Sequence, residues 1–100
     1  MSLKHFALFY EAVPDMMEKR TPHRPGHVAL LKEYDARGQL ELAGAFPTGV
    51  PGSLMVFRGE TEQVAKDFAE ADPYVQAGLI TNWYVREWTT VVGEKALSPV

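Results

Sequence analysis

The chain has 100 residues, 46% of them apolar, with a formal net charge of −3 and no cysteine. One core of ordinary size is expected from such a chain, and a folded rather than a disordered one. The missing cysteines exclude disulfides, thiol nucleophiles and Cys-based zinc sites, and with no basic run nucleic acid is not an expected partner.

No apolar run approaches the ~20 residues that a membrane span needs. The N-terminal stretch lacks a signal-peptide apolar region, because charge returns by Glu11. A cytoplasmic location and no membrane partner follow as expectations. The sequence reads as one domain over 1–100, with 90–100 a loose tail.

In chain order, residues 3–12 read as a strand, ended by Pro14. Residues 16–19 suit a short helical turn. Residues 25–37 read as the first long helix, with Pro25 at its first position and Gly38 at its stop. Residues 39–46 alternate as a second strand. The Pro- and Gly-rich stretch 47–53 is a loop, and 54–58 a third strand. Thr61 suits an N-cap for a second helix over 62–71. Asp72 caps a further short turn that opens on Pro73. Residues 79–89, rich in β-branched and aromatic side chains, form a fourth strand.

The order strand, helix, strand, strand, helix, strand is the split βαβ pattern. It predicts an α+β, ferredoxin-like fold: a four-stranded antiparallel sheet with both helices on one face. Alternation then makes both sheet faces apolar. Phe6, Leu8 and Tyr10 oppose Leu3, Ala7 and Phe9, Met55 and Phe57 oppose Leu54 and Val56, and Trp83 and Val85 oppose Ile80, Tyr84 and Trp88. An exposed apolar sheet face of that size predicts a homodimer packed sheet on sheet.

One titratable group sits where packing alone prefers leucine. On a 3.6-residue period His27 lines up with Leu31 and Tyr34, so it points from the first helical turn towards the core. A packing histidine and a functional one both fit that position. The positive end of the helix dipole favours a neutral imidazole there, which leaves a base available.

Several runs together carry a resemblance over nearly the whole chain. They are Met17-Glu18-Lys19-Arg20, Arg24-Pro25-Gly26-His27, Leu40-Glu41-Leu42-Ala43-Gly44, and Ala71-Asp72-Pro73-Tyr74-Val75-Gln76-Ala77-Gly78. In them the chain resembles the YciI-like (YCII-related) family. The resemblance implies a ferredoxin-like dimer of the dimeric α/β-barrel type, related to muconolactone isomerases, with a site built on a His–Asp pair. One relative eliminates HCl from a chlorinated hydroxyhydroquinone; most have no assigned reaction. The loop between the second and third strands is shorter than in some relatives, which leaves the substrate's size open.

The resemblance implies that His27 is a catalytic base. A carboxylate on its other ring nitrogen would fix the tautomer and stabilise the charged form. Asp35 lies two helical turns on, ~12 Å along the axis and ~80° round, and cannot reach it. Asp72 matches the family's Asp-Pro-Tyr turn, although an Asp before Pro is also a good cap. With both helices expected to run the same way, Asp72 should lie at the end opposite His27. Either the turn folds back or a partner subunit supplies it.

Arg20 and Arg24, next to a helix N-terminus, suit an anionic or enolate oxygen. Tyr10 and Tyr74 offer hydroxyls, and Ser53 a weaker one. These five are the expected substrate-binding residues. His5, His23 and His27 lack metal-ligand spacing, so no metal and no cofactor is expected.

Two functions fit. The first is a small enzyme performing proton abstraction, elimination or isomerisation on a cyclic, oxygenated, anionic small molecule. The second is a non-catalytic ligand-binding or regulatory dimer. A third polar group beside His27 would separate them. As a cleft residue, His27 is expected to be replaceable at a cost of ~1 kcal/mol or less.

Overall fold

In the computed structural model, which describes residues 2–100, the sheet has the strand order β2-β3-β1-β4. The strands are β1 (Lys4–Ala12), β2 (Leu40–Ala45), β3 (Gly52–Gly59) and β4 (Ile80–Trp88). The helices are α1 (Met16–Lys19), α2 (Arg24–Ala36), α3 (Gln63–Ala71) and α4 (Pro73–Gln76). Every strand pairing is antiparallel, so the fold is the expected ferredoxin-like one.

Local chemistry accounts for the boundaries. Gly38 and Gly78 take the left-handed backbone (φ of 74° at each) that closes α2 and α4, a conformation open to glycine at no steric cost. The Thr61 hydroxyl accepts from the Gln63 N–H at the start of α3. Helix α2 begins one residue earlier than expected, at Arg24, with Pro25 still inside its first turn. The loop expected over 47–53 is shorter, because Gly52 and Ser53 join β3.

The inner sheet face builds the core. Phe6, Leu8, Tyr10, Met55 and Phe57 are buried against Tyr34 of α2 and Phe68 of α3. Tyr34, Phe57 and Phe68 meet edge-on or tilted, with centroids 5.1 to 5.7 Å apart. The outer face is also apolar, but Ala7 and Val56 are buried there while Tyr84, Trp88 and Leu42 are exposed.

Part of that outer face is covered by the segment expected as a loose tail. Residues 90–100 turn back on themselves through Ser98 N–H to Thr90 O and Val100 N–H to Val91 O. They are anchored on β1, where Thr90 Oγ1 lies 2.7 Å from His5 Nδ1. His5 Nε2 in turn meets Glu41 Oε2 at 2.8 Å. His5 is therefore buried with both ring nitrogens partnered.

One expectation is overturned. Helices α2 and α3 run in opposite directions. Each returns along the strand before it, and those strands, β1 and β3, are antiparallel. The start of α2 and the end of α3 consequently lie at the same end of the sheet, and Asp72 reaches His27 within one chain.

Candidate active site

Asp72 is the C-cap of α3 and the N-cap of α4, and its side chain accepts from the Tyr74 N–H at 3.0 Å. The cap reading is thus correct, and incomplete. Asp72 is fully buried, and its carboxylate gathers two further donors. His27 Nδ1 lies 2.9 Å from Oδ1 and 3.0 Å from Oδ2. The Tyr10 hydroxyl donates to Oδ2 at 2.7 Å. Three donors satisfy a buried carboxylate that would otherwise be costly to desolvate.

The close approach of two helix starts allows this. A Cβ added at Gly26 would stand 3.1 Å from Pro73 Cγ, tighter than side chains ordinarily pack. Glycine before His27 lets α4, and with it Asp72, come against the first turn of α2.

The imidazole is fixed in plane as well as at Nδ1. The Tyr74 ring stacks on it with centroids 3.9 Å apart and planes 12° apart, and Phe68 meets it edge-on at 6.2 Å. A carboxylate on Nδ1 selects the tautomer with the proton there, leaving the lone pair on Nε2.

His27 borders a cavity of about 310 Å³. Arg20, Arg24, Ser53 and Tyr74 line the same cavity, with Leu31 and Met55 among its apolar walls. Ile80 joins them because the register shift between Glu11 and Ala12 turns it to this face rather than the outer one expected. Among the described residues neither arginine has a carboxylate within ion-pair distance. The β2 and β3 side is walled by small residues, Ala43, Gly44, Ala45 and Gly52, whose lack of side-chain bulk makes the space. A Cβ at Gly52 would collide with the Tyr10 carbonyl oxygen, so only glycine fits there.

The YCII-related domain profile matches residues 5–89. The chain belongs to the YCII-related family. It is 33% identical over 96 residues to an uncharacterized protein of Haemophilus influenzae, covering 87% of this chain and 98% of that one. It is 30% identical over 95 residues to protein YciI of Escherichia coli, covering 86% and 97%. Among solved structures it is similar to 5-chloro-2-hydroxyhydroquinone dehydrochlorinase from Burkholderia phenoliruptrix AC1100, in complex with 2,5-dihydroxybenzoquinone. That likeness has a TM-score of 0.73 at 23% identity and covers 86% of this chain and 94% of the other. Rv0793 from Mycobacterium tuberculosis shares the fold at a TM-score of 0.56 and 12% identity, covering 94% and 100%.

In this YCII-related chain, five of the seven expected site residues line the cavity, His27, Arg20, Arg24, Ser53 and Tyr74, and Asp72 stands behind His27, bonded to its Nδ1. Tyr10 is placed differently. It lies behind Asp72 and does not line the cavity. Burial first, and then the Asp72 carboxylate, push its phenol far above the ordinary tyrosine range. The Tyr74 hydroxyl is buried with no hydrogen-bond partner among the described residues. The sequence reading missed Gly26, although its place between Pro25 and His27 is the kind of signal that marks close backbone approach. It also missed the small wall of β2, for which no periodic signal exists. Among the described residues no His, Cys, Asp and Glu group of three or more could hold a metal ion, and no helix is long and apolar enough to cross a membrane.

Proposed function

We propose that this chain is a small, cofactor-independent enzyme that abstracts a proton from a cyclic, oxygen-bearing, anionic small molecule, leading to elimination or isomerisation. One observation carries the reading: Asp72 occupies Nδ1 of His27 while the ring borders the cavity, leaving Nε2 as the free acceptor. In the proposed step Nε2 takes a proton from the carbon next to a ring carbonyl, the C–H electron pair forms a C=C bond, and the carbonyl π pair moves onto its oxygen, giving an enolate. The electrons then expel a leaving group, or the proton returns at another carbon. Asp72 stabilises the imidazolium formed. Arg20 and Arg24 hold the anionic oxygen, and Ser53 and Tyr74 border the bound ring.

Two further facts support an enzyme over a passive binder. Polar groups beyond the pair line the same cavity, as the enzyme reading requires. The dehydrochlorinase that shares the fold acts on a hydroxyhydroquinone. We further propose that the working form is a homodimer joined through the outer sheet face.

The test offers purified protein 5-chloro-2-hydroxyhydroquinone and its dechlorinated analogues, with chloride release and ring absorbance as readouts, and 2,5-dihydroxybenzoquinone as a binding probe. The expected result is turnover by the parent and none by His27→Gln. Binding by the parent without turnover of any ring offered would favour the ligand-binding dimer instead. His27→Gln is expected to lower stability by about 2 kcal/mol, because a stacked, buried ring and a charged hydrogen bond are both lost. That is more than the cleft position alone implied.

A further inference from the structure

The geometry points to Tyr10 as the positioning residue that sets how His27 meets Asp72. The proposal rests on the site reading above but not on any substrate. Asp72 Oδ1 is pinned by the Tyr74 N–H at 3.0 Å, and Oδ2 by the Tyr10 hydroxyl at 2.7 Å. With a fixed donor on each oxygen the carboxylate cannot turn about its Cβ–Cγ bond. His27 Nδ1 is consequently held between the two oxygens, at 2.9 and 3.0 Å, in a shared hydrogen bond.

Two features make Tyr10 suited to this. It comes from the sheet, on the inner face beside Phe6 and Leu8, whereas Asp72 and His27 come from the helical layer. It is therefore the strut that ties the pair to the rigid part of the fold. Its hydroxyl is a constant donor, since a buried phenol against a carboxylate keeps its proton at any physiological pH. By sharing the carboxylate's negative charge it also weakens the pull of Asp72 on the Nδ1 proton. Removing the hydroxyl should free Oδ2, let the carboxylate rotate, and concentrate the Nδ1–H bond on one more electron-rich oxygen. The bond becomes shorter and stronger.

Proton NMR of histidine-¹⁵N-labelled protein reads this directly, through the imidazole N–H resonance of His27, assigned by its loss in His27→Gln. Tyr10→Phe should move that resonance downfield. The His5 N–H, bonded to Glu41 on the other sheet face, is an internal control and should stay in place. Phe6→Leu, a core change on the same strand face outside the cavity, should lower the melting temperature and move neither resonance. 3-Fluorotyrosine at position 10, a stronger donor of nearly the same shape, should move the His27 resonance upfield, and it covers the case in which Tyr10→Phe does not fold. A lowered melting temperature in Tyr10→Phe with an unmoved His27 resonance would make Tyr10 a packing residue and overturn the proposal. So would an unmoved resonance in the fluorinated protein. No ligand enters these measurements, so their failure is separable from a failure to find turnover.

Discussion

The imidazole of His27 lies flat on the phenol ring of Tyr74, at 3.9 Å between centroids and 12° between planes. Tyr74 thus touches the pair twice, through this ring and through its N–H to Asp72. Its hydroxyl does neither, and is buried without a partner among the described residues. An unpaired buried hydroxyl carries a desolvation cost and returns nothing. Tyr74→Phe is therefore expected to be neutral or to raise stability by up to ~1 kcal/mol, read by urea unfolding. Tyr74→Ala should lose the stacking, ~1 kcal/mol beyond the lost burial. If Tyr74→Phe instead abolishes binding of the dihydroxybenzoquinone probe, the hydroxyl is a substrate donor, as the sequence alone suggested.

Asp72→Asn distinguishes a cap from a hub. Asn replaces Asp at an N-cap with little loss. Here the side chain also accepts from His27 and Tyr10, and an amide has one acceptor oxygen where the carboxylate has two. One of these buried donors must then face an NH₂ group. A loss of about 2–3 kcal/mol is expected, the range for hydrogen bonds to a buried charged group. A change of a few tenths in the unfolding free energy would reduce Asp72 to its cap.

Much of this site is legible in the sequence. The i, i+4, i+7 line of His27, Leu31 and Tyr34 put an imidazole where packing prefers leucine, and Asp-Pro-Tyr marked a capped turn. Their meeting required the strand directions. With β1 and β3 antiparallel, two helices that each return along the preceding strand must run opposite ways, so His27 and Asp72 share an end of the sheet. The expectation of parallel helices missed that step. Tyr10 is a second case. Alternation put it on one face with Phe6 and Leu8, and that face is the core, so a buried hydroxyl needing an internal partner was already implied. The cavity wall of Ala43, Gly44 and Ala45 had no such signal. Small residues on an edge strand make space only relative to what stands opposite.

The tyrosines give a pH prediction. Tyr10 in the folded chain holds its proton far above the ordinary tyrosine value of about 10 that applies when unfolded, through burial first and the Asp72 carboxylate next. Tyr34 is raised too, mainly by burial. A folded-state value above the unfolded one stabilises the fold below the unfolded value and loses that contribution as pH rises. Above pH 10 the unfolded chain binds fewer protons than the native one, so stability falls by up to ~1.4 kcal/mol per pH unit for Tyr10. Urea midpoints between pH 9 and 11.5 should show the fall, and Tyr10→Phe should make it shallower by about one proton. Equal slopes in the two proteins would mean that Tyr10 ionises in the native state.

The outer sheet face supplies the last prediction. Tyr84, Trp88 and Leu42 are 43%, 52% and 74% exposed on strands whose inner faces are packed. Phe9 stacks on Tyr84 at 5.1 Å, which extends the aromatic surface across β1 and β4. An antiparallel sheet that meets water on one face ordinarily carries polar side chains there. Here Arg58 and Arg86 share that face with Ala7, Phe9, Leu42, Leu54, Val56, Tyr84 and Trp88, so it is mostly apolar, and the folded-back segment 90–100 meets it at His5 and Glu41. Sedimentation at micromolar concentration is expected to give a species of twice the chain mass. Leu54→Asp, placed on that face between β1 and β2 and outside the His27 cavity, should divide it into monomers. Burying an unpaired carboxylate in such an interface is unfavourable, while on an exposed face it costs little. A parent protein that sediments as a stable monomer would leave the apolar face without a partner copy and end the sheet-on-sheet reading.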